Sequence, residues 1–409
     1  MRIALSHNWN SSSDVSDRVW SALCRTWPQA DRFTSDPWQS TDTAHWLAAA
    51  PRRGQLMSLS SGRHEQLLSR LPRDPTTDTA LLGGYDLVVS TSPGAARLVS
   101  SPTDAVHCCF IGTDATSQLV HTAHDSLLAL HASRLDSHSE LAHAPGQPRI
   151  RIGLPDSEQF PSDAGVTHYL ATTHAVAAQH HVELAGKPHV VLYPPIDTTF
   201  FRPGPEAHQN FYLMVCHPGV VTDVSLVIEA CEQTRHELVI LGGDNLRQEF
   251  GPVRGTVRWE ALPDDATLRS YYRRCRALLS VAPTGFDPSL VEAQACGTPV
   301  VAYHGSATDE LVLDAERSGL GTGLFFHTLS SNSLVSALHE LERRPQNISA
   351  VLSLAQSEKL SPAHFEHGLL NHVGRWLSNR AAQLAIAGAA TLPISTPFDA
   401  PLVTRRRAA

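Results

Sequence analysis

The stretch Glu292-Ala293-Gln294-Ala295-Cys296-Gly297-Thr298-Pro299-Val300-Val301-Ala302 decides how the rest of the chain is read. It is preceded by Ser289-Leu290-Val291-Glu292, an S-x-x-E capping box that opens a helix running to Cys296. Alternatively, Asp287 caps this helix and Pro288 takes its first position. The apolar run 299–302 then reads as a strand. Outward from it, short apolar runs at 211–215, 238–241, 256–259, 277–281 and 323–326 are separated by helical patterns such as 224–235 and 264–275. That alternation signals βαβ units and a parallel sheet.

The first half repeats the pattern with runs at 2–5, 85–90, 105–110, 166–171 and 189–193. Between the halves lie Pro194-Pro195-Ile196-Asp197 and Phe201-Arg202-Pro203-Gly204-Pro205, too rich in proline for regular structure. The reading is therefore a first domain over 1–193, a linker over 194–209 and a second domain over 210–377. A helix and an Ala/Pro-rich tail follow over 378–409. A chain of 409 residues is too long for one ordinary core, which agrees.

Hydrophobic content of 42% with 18% charged residues describes a globular protein with a substantial core. A net charge of −8 gives no basic footprint for nucleic acid. No apolar run reaches the ~18–20 residues of a membrane span. The opening MRIALSHNWN does not read as a signal peptide, and a cytoplasmic location is expected. Seven cysteines without a C-x-x-C pair disfavour metal and disulfide frameworks, and no metal is expected. Adjacent Cys108 and Cys109 read as strand residues. Only Lys187 and Lys359 are lysines among 32 basic residues, for which a coding bias is the plain explanation.

Several of these segments together resemble the group 1 (family 4, retaining) glycosyltransferases. The most specific is 292–302, ending in Glu310. Leu226-Val227-Ile228-Glu229-Ala230 and the turn Gly242-Gly243-Asp244 after run 238–241 resemble the same family. So do the linker phrase Val191-Leu192-Tyr193-Pro194-Pro195-Ile196-Asp197 and, more loosely, His7-Asn8-Trp9, Asp17-Arg18-Val19 and residues 84–90. The resemblance implies an α/β protein of the GT-B fold. It would have two Rossmann-like doubly wound parallel-sheet domains facing across a cleft. A nucleotide sugar, GDP- or UDP-linked, would bind the C-terminal lobe and an acceptor the N-terminal lobe.

Carried over residue by residue, the resemblance implies a nucleotide site at Glu292, Glu310, Gly242, Gly243, Asp244 and His217, with Glu292 on the ribose. It also exposes departures. The Arg and Lys that stabilise the leaving diphosphate fall on His217 and Thr222, and the glutamate that contacts the donor sugar falls on Thr284. The Phe-Gly turn becomes Phe286-Asp287-Pro288, the Gly-Gly loop becomes Val15-Ser16, and the catalytic-region histidine falls on Gly112. A charge-assisted hydrogen bond contributes about 1.5–3 kcal/mol, so two losses amount to roughly 10²–10⁴ in affinity or rate. His217, His304 or Arg247 would have to supply the missing charge.

The residues also have plain structural readings. Glu292 serves the capping box, and Glu310 lies at a helix start, where a carboxylate suits the dipole. The Gly242–Asp244 turn carries residues that turns favour anyway. His107, in a strand-like run, reads as structural. In the histidine-rich segment 121–143, His124, His131 and His138 are spaced by seven, about 10 Å apart on a helix, too far to share one metal. Two functions follow. One is transfer of a hexosyl unit from a nucleotide sugar to a glycan or lipid-linked acceptor in surface polysaccharide synthesis. The other is a non-catalytic relative that binds or scaffolds a partner glycosyltransferase.

Overall fold

A computed structural model of the chain describes residues 1–8, 14–34, 65–67, 80–101, 104–112, 165–181, 184, 186–216, 224–243, 255–281, 285–305 and 307–390. The N-terminal sheet holds seven parallel strands: β1 (Ile3–His7), β2 (Asp31–Thr34), β3 (Glu65–Leu67), β4 (Leu87–Ser90), β5 (Val106–Ile111), β6 (His168–Ala171) and β7 (His189–Val191). Their spatial order is β3-β2-β1-β4-β5-β6-β7. The C-terminal sheet holds β8 (Phe211–Cys216), β9 (Glu237–Gly242), β10 (Val257–Glu260), β11 (Ala277–Ser280), β12 (Val300–Tyr303) and β13 (Gly323–Phe326). Its order, β10-β9-β8-β11-β12-β13, repeats the 3-2-1-4-5-6 winding of the first sheet.

The apolar runs are continuous because both faces of each sheet are covered. In β5, Val106, Cys108 and Phe110 enter one core cluster, while Cys109 and Ile111 enter another on the opposite face. In β8, Tyr212 and Met214 face one layer and Phe211 and Leu213 the other. β2 carries the polar mixture DRFT and shows no apolar run; it is held by parallel pairing to β1.

Helices α1 (Asp14–Thr26), α2 (Pro93–Arg97) and α3 (His174–Gln179) accompany the first sheet. Those that follow are α4 (Val224–Thr234), α5 (Asp265–Arg274), α6 (Pro288–Ala295), α7 (Thr308–Leu311), α8 (Ala315–Ser318), α9 (Ser331–Arg343), α10 (Ala350–Glu358) and α11 (Pro362–Ala390). The start of α6 settles the two capping alternatives. Asp287 is the cap, its carboxylate accepting the N–H of Ser289, and Pro288 takes the first turn. The Ser289 capping box does not form, because Ser289 lies inside the helix and Glu292 is engaged elsewhere.

Helix α11 leaves the C-terminal sheet. Its Phe365, Leu369, Val373 and Trp376 pack with Leu5, Leu23 and Phe110 in the N-terminal core. The turn into β10 has its own constraint. Gly242 adopts φ +81°, and a Cβ there would lie 2.4 Å from the carbonyl oxygen of Cys216. Glycine is thus required by close approach of the β8 and β9 ends.

Candidate functional site

Ligands of doubly wound sheets bind at the carboxyl ends of strands where the order reverses. In the first sheet that point lies between β1 and β4, which are paired in register Ser6 to Ser90. Here the buried ring of His7 sits with Nδ1 2.7 Å from Thr91 Oγ1 and Nε2 3.4 Å from an Asp17 oxygen. Its face stacks on Trp20 at 5.1 Å. Beside this group is a small recess of about 10 Å³, room for one water-sized group, lined by Ser16, Thr91, Ser92, Phe110, Gly112 and Thr172. Thr172 is 2% exposed, and its hydroxyl makes no hydrogen bond among the described residues.

The opposing residue is Glu292, on the second turn of the wholly buried α6 and itself 0% exposed. Tyr272 of α5 donates its hydroxyl to one carboxylate oxygen at 2.8 Å. Arg18 of α1 donates Nη2 to the other at 2.6 Å. The Arg18 Nε is held 2.8 Å from Asp14, one turn earlier on the same helix. This arginine therefore crosses from the N-terminal domain to the carboxylate that the sequence singled out. Val15 packs against the C-terminal core.

Glu310 makes a second crossing. Its oxygens accept the backbone N–H groups of His174 at 2.9 Å and Ala175 at 2.7 Å, and the Tyr193 hydroxyl at 2.6 Å. The next N–H of α3, from Val176, is taken by the Thr173 side chain. Glu310 thus completes the cap of a helix in the other domain. Burial, followed by the bond and charge from Glu310, raises the Tyr193 phenol well above its ordinary range.

The first two positions of α6 offer no free N–H to an anion. Pro288 has no N–H, the N–H of Ser289 is taken by Asp287, and Ser280 donates to the second Asp287 oxygen at 2.8 Å. Burial, with the Asp287 charge second, pushes the nearby Cys216 thiol up to about 12. Gly242 and Gly243 lie at the carboxyl edge with φ of +81° and +68°. The Gly242 carbonyl accepts from Trp259 Nε1 at 2.7 Å. His304 lies at the end of β12, its ring 4.8 Å from His327 and Nε2 3.8 Å from Asp309.

Asp244, His217, Thr222, Thr284, Arg247 and the histidine-rich segment 121–143 lie outside the described residues. His107 is fully buried in β5 between the hydroxyls of Ser90 and Ser101. Among the described residues no group of three or more His, Cys, Asp or Glu is placed to hold a metal ion. No described helix is long and apolar enough to cross a membrane. Sequence reading missed Arg18 as the residue opposite Glu292. Its one signal was the Asp14-x-x-x-Arg18 spacing, which marks a helical ion pair but not its direction.

Two doubly wound parallel sheets in this winding are those of the GT-B fold. Within it, residues 215–343 match the model of the family described as glycosyl transferases group 1. No curated protein matches the chain in sequence. Among solved structures, HepE of Anabaena in complex with UDP and glucose is similar with a TM-score of 0.60 and 12% identity. The match covers 92% of this chain and 100% of that one. Sucrose-phosphate synthase of Thermosynechococcus elongatus gives 0.56 at 12% identity over 93% and 100%. The lipopolysaccharide outer core galactosyltransferase WaaB, in its apo form, gives 0.54 at 13% over 92% and 99%.

Proposed function

We propose that this chain is a glycosyltransferase that moves a hexosyl unit from a UDP- or GDP-sugar to a glycan or lipid-linked acceptor in surface polysaccharide synthesis. The observation that carries the reading is Glu292. Its carboxylate is buried, oriented by Tyr272 and aimed from the group 1 domain at the opposite domain. An ionised carboxylate accepts only, so it suits a ligand offering hydroxyl donors, as a nucleotide ribose does. The HepE structures with UDP and with UDP-glucose support a nucleotide-sugar donor.

The recess beside Thr91 and Thr172 has hydroxyl and backbone groups and suits an acceptor hydroxyl. His304, half exposed at the carboxyl edge, is a described residue able to donate a ring N–H to a diphosphate oxygen. The cytoplasmic location expected from sequence belongs to the same reading. Incubating the purified protein with UDP-, GDP-, dTDP- and ADP-sugars and following nucleoside diphosphate release tests it. Release from one donor, lost in Glu292→Ala, is expected; no release from any donor, with or without glycan acceptors, contradicts it.

One observation favours the second reading, a non-catalytic partner of another glycosyltransferase. Glu292 and Glu310 are both spent on bonds that join the two domains. Turnover by the isolated protein would dispose of that alternative.

A further inference from the structure

Glu292 has two oxygens, and both are already engaged. Tyr272, which holds one, belongs to the same domain and orients the carboxylate. Arg18, which holds the other, comes from the opposite domain. Its donor is an N–H at 2.6 Å, equivalent in chemistry and reach to a sugar hydroxyl. The seat is filled by a side chain that imitates the ligand's own donor.

We propose that Arg18 is the resting occupant of the Glu292 seat, and that a ligand carrying a vicinal diol binds by exchanging with its guanidinium. The inference rests on the reading of this cleft as a nucleotide site and adds the residue that gates it. The exchange is feasible because Arg18 has a second anchor. Asp14 holds Nε at 2.8 Å, and its side chain is 24% exposed. When the diol takes Glu292, Arg18 keeps one carboxylate partner and leaves no buried unpaired charge. The Glu310 bonds to α3 are independent of this step, so the domains stay joined while the seat changes hands.

An internal competitor lowers apparent affinity by the fraction of time the seat is open. An occupancy of about 90–99% corresponds to a tax of roughly 10–100-fold. Removing the competitor should therefore tighten binding, the opposite of removing a ligand-holding residue. The test is calorimetric titration of the wild type and Arg18→Ala with UDP, GDP and their 2′-deoxy forms, which lack half of the diol. Arg18→Met, which keeps the apolar stem, serves if the alanine variant melts at room temperature. The expected result is an affinity for UDP or GDP raised 10–100-fold in the variant, with a smaller gain for the deoxy form. Binding by the wild type that is equal or weaker in the variant overturns the gating role and leaves the nucleotide site standing. An equal gain for ribo and deoxy forms overturns the diol exchange. No binding by either protein overturns the nucleotide reading and the gate together.

Discussion

Arg18 and Glu292, 274 residues apart in sequence, meet at 2.6 Å between the two domains, with the carboxylate fully buried and the guanidinium nearly so. Removing one partner of a buried pair strands the other, at a cost of about 3–5 kcal/mol. Asp14 and Tyr272 soften that cost here, so Arg18→Ala is expected to lose about 2–3 kcal/mol in denaturant unfolding. The double variant Arg18→Met/Glu292→Leu should recover most of the loss. A loss in the double variant equal to the sum of the losses in the two single variants would show that the two residues are not coupled.

Glu310 joins the domains through three hydrogen bonds. Glu310→Ala leaves two helix N–H groups and a phenol without partners. A loss of roughly 2–3 kcal/mol is expected, against about 1 kcal/mol for Tyr193→Phe, which removes one bond cleanly. Hydrogen exchange at His174 and Ala175 should accelerate in Glu310→Ala and stay near wild type in Tyr193→Phe. Unchanged exchange in Glu310→Ala would contradict the capping role.

These contacts mark the border of what the sequence makes legible. Residues such as Val106–Ile111 and Phe211–Cys216 are apolar on both faces, and that pattern alone announces buried parallel strands. β2 escapes it because Asp31, Arg32 and Thr34 interrupt the run, and pairing with β1 supplies what its composition does not. The route of α11 is hidden for a similar reason: its apolar spacing shows a buried face but not which core buries it. Glu292 stands out in sequence through its motif. Its partner does not, because no local periodicity records that α1 of one domain faces α6 of the other.

Asp287 caps α6 by accepting the N–H of Ser289. Asp287→Ala should cost about 1 kcal/mol in thermal or chemical unfolding, while Asp287→Asn keeps most of the stability. Asp287→Gly removes the cap together with its carboxylate. If the carboxylate repels a diphosphate, that variant binds nucleoside diphosphates more tightly while folding less stably.

Two histidines flank Trp376 where α11 meets the N-terminal domain. His168 lies 4.4 Å and His372 5.9 Å from the indole. Burial lowers the pKa of both, and Arg375, 2.7 Å from His372, adds to the second. Thr167 bonds His168 at 2.8 Å. With folded pKa values below the unfolded value of about 6.5, the unfolded chain binds more protons in that window, so stability rises with pH. The contribution is present above pH ~6.5 and is lost as pH falls through the folded values. Melting temperature should drop between pH 7.5 and 5, and the double variant His168→Gln/His372→Gln should flatten the slope. An unchanged slope would place the pH dependence elsewhere.

The central claim is that Glu292 is a ligand seat in the cleft between the domains. Titrating wild-type protein and Glu292→Gln with UDP and GDP tests it most directly, since the amide keeps the size of the side chain and loses its charge. The account predicts saturable binding of one nucleotide by the wild type and at least 10-fold weaker binding by the variant, with both folded by circular dichroism. Equal affinity in the two proteins would contradict it and leave Glu292 as a bolt between domains.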